Sequence, residues 1–215
     1  MKVLHPTLLL IGWAWLGNAS AATITTGYFW MVGSTIPDNN SSGVVSTKSV
    51  EVEMATIDTV TVILEIAGGW NGDYYAYLQH STGFSVLLNR PGRTLARPAG
   101  SGSSGMDITI DDEAAGEMHV VSASGTITGT WRPDARNVDP GVVLDTTART
   151  ATLGSFNGLD PNGSWTLYVA DVAAGDQGTL TRWGIEITGQ TVPEPSVPAL
   201  FLGALMLPLG LRRRR

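Results

Sequence analysis

Six carboxylates of this 215-residue chain stand where loops could offer them to a divalent cation. Asp111-Asp112-Glu113 follow a strand-like segment, Asp171 and Asp176 bracket the loop Asp171-Val-Ala-Ala-Gly-Asp176, and Asp73 lies in a Gly-Asp turn. Calcium takes about six to eight oxygens from carboxylates and loop carbonyls, which loops at one end of a β-sandwich can supply. The spacing matches no EF-hand, and solvated or turn-capping carboxylates are the commoner use of such residues. Calcium at Asp73, Asp111, Asp112, Asp171 and Asp176 is therefore the specific expectation beside that plainer one. A histidine/cysteine zinc site is excluded, because the chain has no cysteine.

Nucleophilic catalysis finds little support. A Ser-His-Asp triad needs a histidine held by a carboxylate and a serine beside an oxyanion hole. His5 lies in a leader-like segment, leaving His80 and His119, and neither sits in a catalytic signature. Both read as surface or partly packed residues. Gly100-Ser-Gly-Ser-Ser-Gly105 lacks the G-x-S-x-G spacing of a nucleophile elbow and reads as a flexible loop. The expected protein is not an enzyme. Trp70, in a Gly-Gly-Trp-Asn-Gly loop, is a candidate contact for carbohydrate or protein.

The elements that must position these residues have the period of strands. Val60, Val62, Leu64 and Ile66 alternate onto one face of Val60–Ile66, and Val50–Met54 alternates with its carboxylates outward. Tyr74–His80 and Phe84–Leu88 flank Ser81-Thr82-Gly83 as a hairpin. Further strands are expected at Thr25–Trp30, Asp107–Ile110, Thr126–Trp131, Ser164–Ala170 and Thr179–Ile187, with Gly/Pro/Asn/Asp punctuation between them. No convincing amphipathic helix appears. About eight or nine short strands imply an all-β, antiparallel sandwich of the jelly-roll kind. Trp165 and Trp183 are expected to face inward as core anchors.

The termini carry addresses. Lys2, the apolar run Leu8–Leu16 and the small residues Ala19-Ser20-Ala21 make a secretory signal peptide over residues 1–21, cleaved between Ala21 and Ala22. The domain then runs from Ala22 to Gln190, a single-domain length. Of the 13 Lys and Arg, five lie in the terminal segments, leaving 8 against 19 Asp and Glu, a charge of about −11 for the exported part. That acidity argues against nucleic acid and anionic lipid as partners.

Residues 191–215 hold Pro193-Glu194-Pro195, an uncharged apolar stretch from Val197 to Leu211, and Arg212, Arg213, Arg214 and Arg215. As a helix, that stretch would reach about 22 Å at about 1.5 Å per residue, short of the roughly 30 Å hydrocarbon core. Arginines flanking it can snorkel and would stay on the cytoplasmic side, leaving the domain outside. Pro193 and Pro195 make a stiff, extended strip at the membrane boundary. An ordinary C-terminal anchor and a processing signal both fit this physics. The order of the three parts resembles the PEP-CTERM sorting signal of Gram-negative bacteria that make extracellular polysaccharide. That resemblance implies transient membrane anchoring, processing near Pro193-Glu194-Pro195 by an exosortase-type enzyme, and delivery to the envelope or extracellular matrix. The stretch here is short and interrupted by Pro198 and Pro208.

Five motifs carry a second resemblance. They are Ile36-Pro-Asp-Asn-Asn-Ser-Ser-Gly43, Trp70-Asn-Gly-Asp73, Ile110-Asp-Asp-Glu-Ala114, Phe156-Asn-Gly-Leu-Asp-Pro-Asn-Gly-Ser-Trp-Thr-Leu167 and Asp176-Gln-Gly-Thr-Leu-Thr-Arg-Trp183. Together they resemble the P domain, or Homo B domain, that follows the catalytic domain of subtilisin-like proprotein convertases. The resemblance implies a jelly-roll sandwich of the galactose-binding-like type, with the catalytic domain absent. Two functions are then expected. One is a non-catalytic binding or structural module at the envelope or in the polysaccharide matrix; the alternative is an accessory domain that stabilises or docks to a separate subtilisin-like serine endopeptidase.

Overall fold

The computed structural model describes residues 20–193, within which Thr23–Thr191 form one compact unit. The ends of the tail and of the leader, including Glu194, Pro195 and Arg212 to Arg215, lie outside the described residues. Ala21 and Ala22 are exposed and have no regular structure. No helix among the described residues is long and apolar enough to cross a membrane.

The chain is an all-β sandwich of two sheets. Ten strands follow in order: β1 (Thr23–Thr35), β2 (Asn40–Val50), β3 (Thr56–Gly68), β4 (Tyr74–His80), β5 (Gly83–Asn89), β6 (Met106–Ile110), β7 (Gly116–Glu117), β8 (Ile127–Arg132), β9 (Gly163–Asp171) and β10 (Gly178–Gln190). One sheet has the order β1-β10-β3-β6-β8-β7 and the other β2-β9-β4-β5. Long-range pairing of β1 with β10 and of β2 with β9 joins the two ends of the domain.

Period-2 alternation decides what each sheet buries. Val60, Val62, Leu64 and Ile66 of β3 face the core, as do Trp165, Leu167 and Val169 of β9 and Trp183, Ile185 and Ile187 of β10. Trp165 and Trp183 are fully buried; at roughly 25 cal/mol per Å², covering about 200 Å² of indole contributes about 5 kcal/mol before ordering costs. Each indole N–H finds an acceptor. Trp183 Nε1 donates across the core to Ser46 Oγ at 2.9 Å, and Trp165 Nε1 donates to the Pro161 carbonyl at 2.9 Å.

Three local expectations change. Val50–Met54 is not a strand: β2 ends at Val50, and the polar run from Asn40 forms the strand instead. Its pairing with β9 outweighs the low strand propensity of Asn and Ser. The sandwich is also not wholly antiparallel, because β6 and β7 both pair with β8 in parallel. Finally, the 100–105 segment is packed. Ser101 and Ser103 are buried and bonded to each other at 2.8 Å, and Asn71 Nδ2 donates to Ser103 Oγ at 3.0 Å.

Candidate functional site

Strand ends and loops bring four carboxylates into one electrostatic neighbourhood. The tight turn between β1 and β2 carries Asp38 and Asn39, the 3-10 turn Asn71–Asp73 precedes β4, and β9 ends at Asp171 before the loop to Asp176. Asp171 is fully buried. Its Oδ1 accepts from the Ala173 backbone N–H at 3.2 Å, while Oδ2 is buried, with the Asn39 backbone N–H directed at the carboxylate. Burial pushes the Asp171 carboxyl up to about 6, and the charges of Asp73 and Asp38 push the same way. Burial raises Asp73 as well, against the pull of Arg90, whose guanidinium lies 3.1 Å from Asp73 Oδ1. Asp38 accepts from the Gly175 backbone N–H at 3.1 Å, tying the β1–β2 turn to the loop after β9.

Two of these residues have costly backbones. Asn39 (φ +46°) and Arg90 (φ +53°) both occupy the left-handed region, which costs roughly 1 kcal/mol or more outside glycine and collects at functional places. Arg90 is fixed there by Nε donating to the Gly72 carbonyl at 2.9 Å and by its bond to Asp73. Nearby, the Tyr74 hydroxyl donates to the Gly68 carbonyl at 3.1 Å. It fills the space a Cβ would need at Gly69 or Gly178, where the oxygen would lie 1.8 or 1.9 Å away.

Of the carboxylates expected to share a calcium site, Asp73, Asp171 and Asp176 meet at this pole and Asp111 and Asp112 do not. Asp112 instead accepts from the backbone N–H groups of Leu153 at 3.2 Å and Gly154 at 2.7 Å, and Asp111 accepts from Glu113 N at 2.9 Å. Asp112 thus fastens the 3-10 turn Leu153–Phe156 and Asp111 closes its own Asx turn, the local roles open to such residues. Among the described residues no three His, Cys, Asp or Glu side chains converge as a ready metal-ligand set. Trp70 sits at the edge of the pole. Its indole N–H donates to the Ala99 carbonyl at 3.1 Å and its ring covers Gly102, leaving it half-buried beside a cavity of about 320 Å³ shared with Asp73, Arg90 and Asp176.

The histidines are not surface residues. His119 is fully buried, with Nδ1 2.7 Å from Asp134 Oδ2 and Nε2 2.8 Å from the Arg93 carbonyl. His80 spans the Asp160 and Ser164 carbonyls at 2.7 and 3.0 Å. An aspartate-held histidine therefore exists, but its second nitrogen meets a backbone oxygen and no serine, so it cannot serve as a general base. Asp134 also contacts Arg136, which bonds Glu117 at 2.5 Å. This is a buried structural network.

A larger cavity, about 390 Å³, opens on the outer face of the four-stranded sheet between Ser41, Tyr75, Arg90, Asp139, Gly141 and Tyr168. Tyr75 and Tyr77 point outward from β4, and Tyr168 stands opposite Tyr77 on β9. The Tyr77 and Tyr168 rings stack at 4.8 Å with a 17° tilt, while Tyr75 meets Tyr168 at 6.2 Å and 66°. None of Asp38, Tyr75, Arg90, Asp139 or Tyr168 was singled out from sequence as a site residue. The alternation in Tyr74-Tyr-Ala-Tyr77 was the available signal, since it puts Tyr75 and Tyr77 on one face.

Residues 57–187 match the model of the family described as the proprotein convertase P-domain. No curated protein matches the chain at a significant level. Among solved structures, the serine protease of Aeromonas sobria aligns over 81% of this chain and 28% of its own, at 15% identity and a TM-score of 0.46. The complex of that protease with the chaperone ORF2 aligns over 80% of this chain and 28% of its own, at 16% identity and a TM-score of 0.46. The chain thus spans just over a quarter of the length of those proteases.

Proposed function

We propose that this chain, which belongs to the proprotein convertase P-domain family, works outside the cytoplasmic membrane as a non-catalytic binding module. The observation that carries this reading is the Tyr75–Tyr168 cavity, which is lined by two tyrosines and by charged groups beside no nucleophile-base pair. Such a site can hold a ligand and has no means to cleave it.

Delivery is assigned to the termini: a signal peptide cut before Ala22, then transient anchoring and exosortase-type processing near Pro193-Glu194-Pro195. The stiff prolines and the Arg212 to Arg215 cluster support this sorting role. Intact mass of the exported protein, with cell fractionation of the full chain, tests it. Loss of Arg212 to Arg215 with the domain outside is the expected result; an exported form that keeps all four arginines overturns the processing step.

Family membership favours a second reading, in which the module docks to or stabilises a separate subtilisin-like protease. Co-purification with such a protease, and a shorter protease half-life when this chain is deleted, are its expected signs. A binding module of the envelope leaves protease lifetime unchanged.

A further inference from the structure

We propose that the cavity between Tyr75, Tyr168 and the Asp139–Gly141 loop binds a pyranose unit of a neutral saccharide; this rests on the binding-module reading above. The sheet builds one wall. Tyr168 is held at both ends, its ring stacked on Tyr77 and its hydroxyl donating to the Ser41 carbonyl. Tyr75 packs against both neighbouring rings. Rings fixed by their own packing lose little freedom when a ligand arrives, which keeps the ordering cost of binding low.

The opposite wall is polar and equally fixed. Asp139 Oδ1 accepts from Gly141 N at 2.6 Å, so its second oxygen is the one left to face a ligand. The Arg93 guanidinium donates to the carbonyls of Pro140 and Gly141, clamping the loop from behind. The Arg93 carbonyl is itself engaged by buried His119, tying the loop to the structural network. Arg90 closes the cavity from the pole side.

A pyranose matches this pairing of surfaces. Its axial C–H face is apolar and can lie on a tyrosine ring, while its equatorial hydroxyls both donate and accept, suiting a carboxylate and a guanidinium. A volume of about 390 Å³ is in the range of small-ligand cavities. Charge selects against acidic sugars. Arg90 is already paired with Asp73, and Asp38, Asp139 and Asp176 stand nearby in a domain that is strongly acidic. Shape disfavours a polyproline helix, which docks along an extended aromatic groove; here Tyr75 and Tyr168 meet at 66° and loops close the ends.

The test is calorimetric titration of the full chain in detergent with a β-glucan oligosaccharide, a galactan oligosaccharide, an alginate oligosaccharide and decaproline. Binding of at least one of the two neutral sugars is expected, weakened tenfold or more by Tyr75→Ala and by Tyr168→Ala and retained by Tyr75→Phe. Asp139→Asn should weaken it with an unchanged melting curve, which separates a ligand contact from a folding defect. No heat with either neutral sugar, equal affinity in the two alanine variants, or binding of alginate or decaproline in their place overturns the proposal. Failure of both neutral sugars to bind while the wild-type chain still reaches the envelope would sink the saccharide site alone. Loss of export or of envelope association by the wild-type chain would sink the binding-module reading.

Discussion

The imidazole of His80 lies flat on the indole of Trp165, with ring centroids 4.1 Å apart and planes 3° apart. Both ring nitrogens of His80 meet carbonyl oxygens, so the stack locks the Asp160–Ser164 turn onto the core strand that follows it. A polar ring is buried here with its N–H within reach of a carbonyl acceptor, the condition on which burial is tolerated.

His80→Phe should keep the stack and abandon both carbonyls. These carbonyls belong to exposed residues that water can reach, so the lost hydrogen bond costs about 0.5–1.5 kcal/mol, or a few degrees of Tm for each kcal/mol in a domain of this size. A thermal melt with an unchanged far-UV spectrum is the expected record. A Tm within error of wild type would show that water replaces the lost bond in full.

Asp171 predicts a pH dependence with a defined sign. Its folded carboxyl is raised to about 6 from an ordinary value near 4. The folded state therefore holds the proton more tightly, and this group's contribution is full below about pH 4 and lost as pH rises through about 6. Asp171→Asn keeps the acceptor facing Ala173 and removes the ionisable group. The difference in stability, variant minus wild type, should grow in the variant's favour between about pH 4 and 6. Parallel denaturant curves across that range would contradict the buried, ionised carboxylate.

Of the residues expected to hold calcium, Asp73, Asp171 and Asp176 stand at one pole, with Asp38 as a further carboxylate beside them, and Asp111 and Asp112 lie elsewhere. Extracellular modules hold calcium with Kd of about 10⁻⁴–10⁻³ M, so about 5 mM calcium would stabilise by roughly 1–2 kcal/mol. Calcium held at this pole would raise the wild-type Tm by a few degrees and leave that of Asp171→Asn unmoved. An unchanged wild-type Tm removes calcium from the account.

Tyr74 and Gly178 should be energetically coupled, since a Cβ at Gly178 would lie 1.9 Å from the Tyr74 hydroxyl oxygen. Gly178→Ala overpacks the site by about 1–3 kcal/mol, and Tyr74→Phe alone costs about 1 kcal/mol for its bond to Gly68. The double variant should lose less than the sum, because the phenyl ring vacates the contested space. Strict additivity in denaturant unfolding would refute the contact.

The family, the two-sheet architecture and the inward tryptophans were legible in the sequence because each depends on local pattern. Val60 to Ile66 alternates, Asn162-Gly163 turns, and Trp165 and Trp183 stand at inward phases of strands whose ends are marked by glycine. Where pairing overrides propensity the sequence misled, as at the polar strand β2 and at Val50–Met54. The histidines misled for a related reason: burial of His80 and His119 depends on carbonyls and a carboxylate supplied from distant segments.

By itself, the sequence determined the strand periodicity, the acidic exported charge and the absence of a metal-binding cysteine set. Which side chains share a site was decided only by tertiary structure. Asp171 joins Asp73 and Asp38, and Tyr168 joins Tyr75, through antiparallel registers between residues about a hundred positions apart or more. Asp111 and Asp112 carry the same chemistry as Asp171, yet the fold spends them on turns. A side chain's type sets what it can bind; its neighbours in space set whether it is free to do so.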